Sequence, residues 1–168
     1  KKKKNILVTF HPATLENVGY NNQVKNLLRA LSKFNNIGII FTSTNFDPGG
    51  NQISKQIKKF IKKNKNSFMV KSLGGEEYYY LMEKVDCVVG NSSSGIMEAP
   101  FLNTPTLNIG NRQKGRLMSK SIISTSYNYL PIMRQLKKIL NGKKKFKYDL
   151  FYGKGGSTKK IIRIFKKL

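Results

Sequence analysis

The chain has 168 residues, with 32 Lys and Arg against 8 Asp and Glu for a net charge of +24, one His, one Cys, and 39% hydrophobic residues. That length fits one domain, and apolar residues in periodic clusters exclude a disordered chain. No apolar run approaches the roughly 20 residues a bilayer span requires, and one cysteine excludes an internal disulfide.

Cys87 sits in the apolar run 85–89 and reads as a small core residue in a reducing compartment. The lysine-rich start lacks the apolar core of a signal peptide, so the expected location is cytoplasmic, with no membrane partner. The positive balance favours polyanions, but no zinc pattern, RNP motif or helix-turn-helix signal accompanies it. The lysines spread over helix faces (Lys55, Lys58, Lys59, Lys62 and Lys63, then Lys137 and Lys138, then Lys159, Lys160, Lys166 and Lys167), the pattern of a solvated surface. No nucleic-acid partner, metal or cofactor is expected.

In chain order, residues 5–10 form a buried strand that opens at His11-Pro12. Val24, Leu27, Leu28, Leu31 and Phe34 recur at helical spacing. Residues 38–42 give a second strand, and Asp47-Pro-Gly-Gly50 turns into a lysine-rich helix through Ile53, Ile57, Phe60 and Ile61. Residues 67–71 are strand-like, Gly74-Gly75 breaks the chain, and 76–84 form a short helix with acids in its first turn. A fourth strand at 85–89 leads through the Ser-rich segment 90–95 into a short helix stopped by Pro100. Residues 104–109 form a fifth strand and 121–124 a sixth; 129–140 and 157–168 are helical, the last with Ile161, Ile162 and Phe165 on one side.

Strands separated by helical crossovers predict an α/β fold, a Rossmann-like parallel sheet with helices on both faces. Ligands of such sheets bind beyond the carboxyl ends of the strands, so the loops at His11, 42–50, 72–75, 90–95 and 109–116 should share one edge. The most informative of them is Gly90-Asn-Ser-Ser-Ser-Gly95-Ile-Met-Glu-Ala-Pro100. It places backbone N–H groups and three hydroxyls between a strand and a helix start, a site for a phosphate and equally an ordinary helix cap. Glu98 could accept hydrogen bonds from ribose hydroxyls or simply compensate the helix N-terminus. Arg112 offers a guanidinium fork to phosphate, with Lys114 and Arg116 as solvated neighbours. His11 would stand over the same crevice as acid, base or phosphate donor, or serve structure alone. Tyr78, Tyr79 and Tyr80 read as half-buried helix residues and not as a stacking platform.

Together Phe10-His-Pro12, Ser72-Leu-Gly74, the serine segment 90–100, Leu107-Asn-Ile-Gly110 and Arg112-Gln-Lys-Gly-Arg116 resemble the UDP-N-acetylglucosamine 2-epimerases. The serines followed by Gly-Ile-Met-Glu-Ala-Pro are more similar to the hydrolysing branch, which supplies sialic-acid-type sugars. The resemblance implies the C-terminal half of a two-domain fold like that of the B-type glycosyltransferases, with residues 1–168 as a single nucleotide-binding domain and the N-terminal domain absent. It implies that Ser92 and Ser93 hold a diphosphate, Arg112 the phosphate side, Glu98 the ribose, and the backbone near Leu73 the uracil. Asn45 would join the nucleotide pocket, and His11 would approach the leaving phosphate as the catalytic residue. The implied partners are UDP-N-acetylglucosamine or a related sugar nucleotide and further copies in a homo-oligomer. The implied reaction is elimination of UDP followed by hydration to N-acetylmannosamine; the family's acid and base carboxylates belong to the N-terminal domain, so this part alone would be inactive. A non-hydrolysing epimerase or a glycosyltransferase domain shares the same nucleotide site, and a basic nucleic-acid-binding module is the alternative outside that class.

Overall fold

The computed structural model describes residues 3–13, 16, 18–44, 47–71, 73–142, 146–153 and 155–167. Its elements are β1 (Lys4–Thr9), α1 (Tyr20–Leu31), β2 (Ile37–Thr42), α2 (Gly50–Lys63), β3 (Ser67–Val70), α3 (Gly74–Lys84), β4 (Cys87–Gly90), α4 (Ser94–Met97), β5 (Thr106–Ile109), β6 (Ile122–Thr125), α5 (Tyr129–Leu140) and α6 (Ser157–Phe165). The strands make one six-stranded sheet in the order β3-β2-β1-β4-β5-β6, every pairing parallel. The expected Rossmann-like sheet is therefore present, with its direction of winding reversed between β1 and β4.

Alternation along the strands divides the core. Ile6, Val8, Ile39, Phe41, Cys87, Val89, Leu107 and Ile109 face the larger cluster, which α1, α2 and α5 cover with residues such as Leu27, Ile53 and Leu136. Leu7, Ile40 and Val88 face a smaller cluster closed by Met82 of α3 and by Ala99. Helices thus cover both faces, as right-handed crossovers require when the chain winds first one way from β1 and then the other.

Several boundaries differ from the sequence reading for local reasons. Strand β4 begins at Cys87 because Asp86 turns aside, accepting the Asn5 amide at 2.8 Å and pairing with Lys4 Nζ at 2.7 Å. Helix α3 begins at Gly74, whose φ of +72° suits the bend into the helix, so the glycine pair opens the helix instead of preceding it. Phe34 packs on the core from beyond the end of α1. Strand β5 starts only at Thr106, since the Thr104 hydroxyl is drawn away to the Met82 carbonyl at 2.8 Å. No residue of α6 is buried, so the stripe of Ile161, Ile162 and Phe165 is left uncovered by the described residues. Cys87 is fully buried, and burial pushes its thiol up to about 12, as suits an inert core residue. The lysines singled out on α2, α5 and α6, with Lys166 and Lys167 just past the end of α6, all lie exposed, as a solvated surface demands.

Gly90 fixes the close approach of β1 and β4. Its φ is +139°, and a Cβ there would stand 1.9 Å from the Thr9 carbonyl oxygen. Gly90→Ala is expected to lower stability by at least about 2 kcal/mol, since backbone strain and collision add; a urea midpoint equal to that of the wild type would contradict this.

Candidate functional site

The loops after β1 and β4 meet where the strand order reverses, the position at which open parallel sheets leave a crevice. Asn91, the first residue after β4, is completely buried. Its side chain accepts the His11 amide on Oδ1 at 2.8 Å and donates from Nδ2 to the His11 carbonyl at 2.8 Å. The two strand ends are therefore clamped together backbone to side chain.

The loop after β5 joins the same point. Arg112 Nη1 donates to the Asn91 carbonyl at 3.2 Å, and Gln113 Nε2 donates to the same oxygen at 2.9 Å. Arg112 is exposed apart from that contact, so the rest of its guanidinium fork faces outward beside the serine turn. Glu16 Oε1 accepts the Asn111 amide at 3.2 Å, tying the loop after β1 to the loop after β5. Gln23, buried on α1, holds that first loop by donating to the carbonyls of Ala13 at 3.3 Å and Val18 at 2.5 Å.

The serine turn itself differs from the expected strong helix N-terminus. Helix α4 spans only Ser94–Met97, too short to build much of a dipole. What the turn offers are local groups: the amides of Ser92 and Ser93 meet no acceptor among the described residues, and the three serines are half-buried at the surface of the crevice. Gly95 is required behind them, for a Cβ would stand 2.9 Å from Thr106 Cγ2, and Thr106 Oγ1 donates to the Gly95 carbonyl at 2.8 Å.

Glu98 lies just past the end of α4 and not inside the helix. Its Oε2 is buried without a hydrogen-bond partner, and burial raises its pKa above the ordinary value of 4.5, with the charge of Arg116 pulling the other way. Arg116, expected to be solvated, also donates from Nη1 to Met97 Sδ at 3.1 Å. Glu98 lines a cavity of about 360 Å3 shared with Tyr79, Phe101, Leu150 and Tyr152. Leu73 is half-buried at the start of α3, on the carboxyl side of β3 and thus at the same sheet edge. Asn45 and Ser72 lie outside the described residues.

His11, Ser92, Ser93 and Arg112 are thus assembled around Asn91, with Glu98 one short helix away. The sequence reading assigned no role at the site to Asn91, Gln113 or Gln23, and took Tyr78, Tyr79 and Tyr80 as half-buried helix residues, which holds for Tyr78 while Tyr79 and Tyr80 lie exposed. A polar residue flanking an apolar strand signalled Asn91; nothing local signalled the others, whose partners are distant in sequence. Among the described residues no group of three His, Cys, Asp or Glu side chains could hold a metal ion, and no helix is long and apolar enough to cross a membrane.

The reversed winding and the crevice at the strand ends define a Rossmann-like α/β domain. The family model described as UDP-N-acetylglucosamine 2-epimerase matches residues 1–166, and the chain belongs to that family. It is 40% identical over 125 residues to a GDP/UDP-N,N'-diacetylbacillosamine 2-epimerase (hydrolyzing) of Campylobacter jejuni, a match covering 74% of this chain and 33% of the relative. It is 32% identical over 164 residues to a UDP-N,N'-diacetylbacillosamine 2-epimerase (hydrolyzing) of Legionella pneumophila, covering 98% of this chain and 43% of that one. A solved UDP-GlcNAc 2-epimerase of Neisseria meningitidis, bound to UDP-GlcNAc, shares the fold with a TM-score of 0.80 at 19% identity, over 99% of this chain and 45% of its own. The chain thus spans less than half the length of these relatives.

Because burial raises the Glu98 pKa, the folded chain holds that proton more tightly than the unfolded chain does. The ionised form therefore costs stability, increasingly as pH rises past 4.5 and fully above the raised value. Glu98→Gln is expected to melt above the wild type at pH 7.5, with the gap closing toward pH 4; melting curves across that range check both signs.

Proposed function

We propose that this chain is the UDP-binding domain of a hydrolysing UDP-N-acetylglucosamine 2-epimerase. One observation carries the reading: Arg112 reaches the carbonyl of Asn91, the residue before Ser92, so a guanidinium and the serine turn adjoin at the switch point of the sheet. Unpaired amides, hydroxyls and a half-free guanidinium form a set of donors suited to the oxygens of a diphosphate. Ser92 and Ser93 hold the diphosphate in this reading, and Arg112 neutralises its outer side. The unpartnered Glu98 Oε2 accepts hydrogen bonds from ribose hydroxyls, the backbone near Leu73 meets the uracil, and Asn45 belongs to the same pocket. His11, fixed by Asn91, approaches the leaving phosphate.

The reaction begins with loss of the C2 proton as the C1–O bond breaks and UDP departs with the bonding electrons, giving a 2-acetamidoglucal. Water then adds, with hydroxyl to C1 and a proton to the opposite face of C2, and N-acetylmannosamine is released. The donors around Asn91 stabilise the charge on departing UDP. The groups that move the C2 proton come from a second, N-terminal domain in this reading, in keeping with the share of its relatives that the chain spans. The whole enzyme is proposed to be cytoplasmic, supported by the free buried thiol, to assemble as a homo-oligomer, and to feed sialic-acid-type sugar synthesis. The names of two relatives favour a second sugar, UDP-N,N'-diacetylbacillosamine, on the same nucleotide site.

Calorimetry on the chain is expected to show UDP binding that Arg112→Ala weakens about 10- to 100-fold, the equivalent of one charged hydrogen-bonding group at about 1.5–3 kcal/mol, with uridine binding little changed. A folded wild-type chain that ignores UDP would overturn the reading. For the full-length enzyme, offering both UDP sugars and identifying the released sugar separates the two substrates, and recovery of an epimerised UDP sugar would point to the non-hydrolysing reaction.

A further inference from the structure

The serine turn is approached from the opposite side of the sheet edge by a line of hydroxyl groups. Thr42 at the end of β2 donates from Oγ1 to Thr9 Oγ1 at the end of β1 at 2.9 Å. Thr9 Oγ1 and the Tyr78 hydroxyl, on α3, stand 3.3 Å apart; the Tyr78 hydroxyl and Ser94 Oγ stand 2.8 Å apart. Ser94 Oγ donates to Ser92 Oγ at 3.0 Å.

Each hydroxyl has one proton and two lone-pair sites, and that settles the two contacts whose direction the heavy atoms leave open. Ser94 spends its proton on Ser92, so it must accept from Tyr78. Tyr78 has then spent its own, so it must accept from Thr9, whose lone pair in turn takes the Thr42 proton. The line therefore runs one way, from Thr42 through Thr9, Tyr78 and Ser94 to Ser92. At its end Ser92 Oγ accepts from Ser94 Oγ and, at 3.4 Å, from the Ser94 amide. Both of its lone-pair sites are engaged, and only its proton is left for a ligand.

We infer that Tyr78 is a positioning residue of the anion site: its hydroxyl orients Ser94, and through Ser94 it sets Ser92 as an outward-pointing donor. The inference rests on the nucleotide reading of the serine turn and goes one step deeper, to what fixes the polarity of that turn. A lone serine hydroxyl can turn either a lone pair or a proton toward a phosphate oxygen, and only the second attracts. Hydrogen bonds in series polarise one another, so four hydroxyls behind Ser92 make its proton a stronger donor than an isolated serine presents. The Tyr78 ring packs on the smaller core cluster, so the hydroxyl can be removed without removing the packing.

The test is calorimetry with UDP and with uridine on the chain as wild type, Tyr78→Phe, Ser92→Ala and the double variant. Tyr78→Phe should weaken UDP about three- to tenfold, the value of one buried hydrogen bond, while leaving uridine unchanged. In the Ser92→Ala background the same change should alter UDP affinity less than twofold, since Tyr78 acts through Ser92. Thr9→Val, which cuts the line one hydroxyl earlier with an isosteric side chain, should weaken UDP in the same direction and serves if Tyr78→Phe fails to fold. Equal losses for UDP and uridine, or an undiminished loss in the Ser92→Ala background, would assign Tyr78 to structure and overturn the inference. So would a Tyr78→Phe chain that binds UDP like the wild type. If the wild type itself does not bind UDP, the nucleotide reading fails first and this inference falls with it.

Discussion

Four of the hydrogen bonds made by Asn91 hold together the three chain segments from which the site is built. Its side chain satisfies both the amide and the carbonyl of His11, and its own carbonyl satisfies Arg112 and Gln113. Because Asn91 is completely buried, its side-chain amide and its carbonyl would each cost about 1–3 kcal/mol if left unpaired, so the ends of β1, β4 and β5 are positioned together. Gly90 makes the arrangement possible by letting β4 pass against the Thr9 carbonyl, which also accepts the Asn91 amide at 3.2 Å.

Sheet order decides where that knot can lie. With β1 and β4 central and adjacent, α1 leaves on one face while α3 and the segment after α4 return on the other, and the space between them opens above the strand ends. The same divergence lets α3 lay Tyr78 against the serine turn from behind while the loop after β5 brings Arg112 from the side. The net charge of +24 acts at a different range. Lysines exposed on α2, α5 and α6 create a diffuse field screened over about 8 Å at physiological salt; such a field raises the encounter rate of a polyanion but cannot select its geometry. Selection falls to the few fixed donors around Asn91.

What the sequence disclosed follows from how local each signal is. Apolar periodicity located all six strands and the main helices, and placed α5 with its observed limits, because alternation and helical stripes are imposed within a few residues. It missed by one to three residues wherever a polar side chain found a distant partner, as at Asp86 and Thr104. His11, Ser92, Ser93 and Arg112 were legible as a group because parallel topology sends the ends of all strands to one edge. The roles of Gln113, Gln23 and Tyr78 were not, since their contacts join segments 5 to 69 residues apart and no pattern along the chain encodes them. Glu98 was placed inside a helix because Gly-Ile-Met-Glu-Ala reads as helix. The structure stops α4 before it, and the chain then turns through Asn103, whose φ of +56° is one that asparagine tolerates.

The brevity of α4 has a consequence for what the edge can recognise. One helical turn, about 6 Å of rise for four residues, separates a cluster of donors at the serine turn from an unmet acceptor at Glu98 Oε2. A long helix would strengthen the dipole at the anion site but would carry the carboxylate away from it or into the core. With only four residues the helix builds little dipole, and the donors at this edge are the Arg112 guanidinium, the amides of Ser92 and Ser93 and the hydroxyls of the serine turn. The Glu98 carboxylate stays half-buried one short helix from the serine turn, and burial raises its pKa. Donors at one end and an acceptor at the other complement a molecule with an anionic group and free hydroxyls a few ångströms apart. The nucleoside diphosphate proposed above carries both kinds of group.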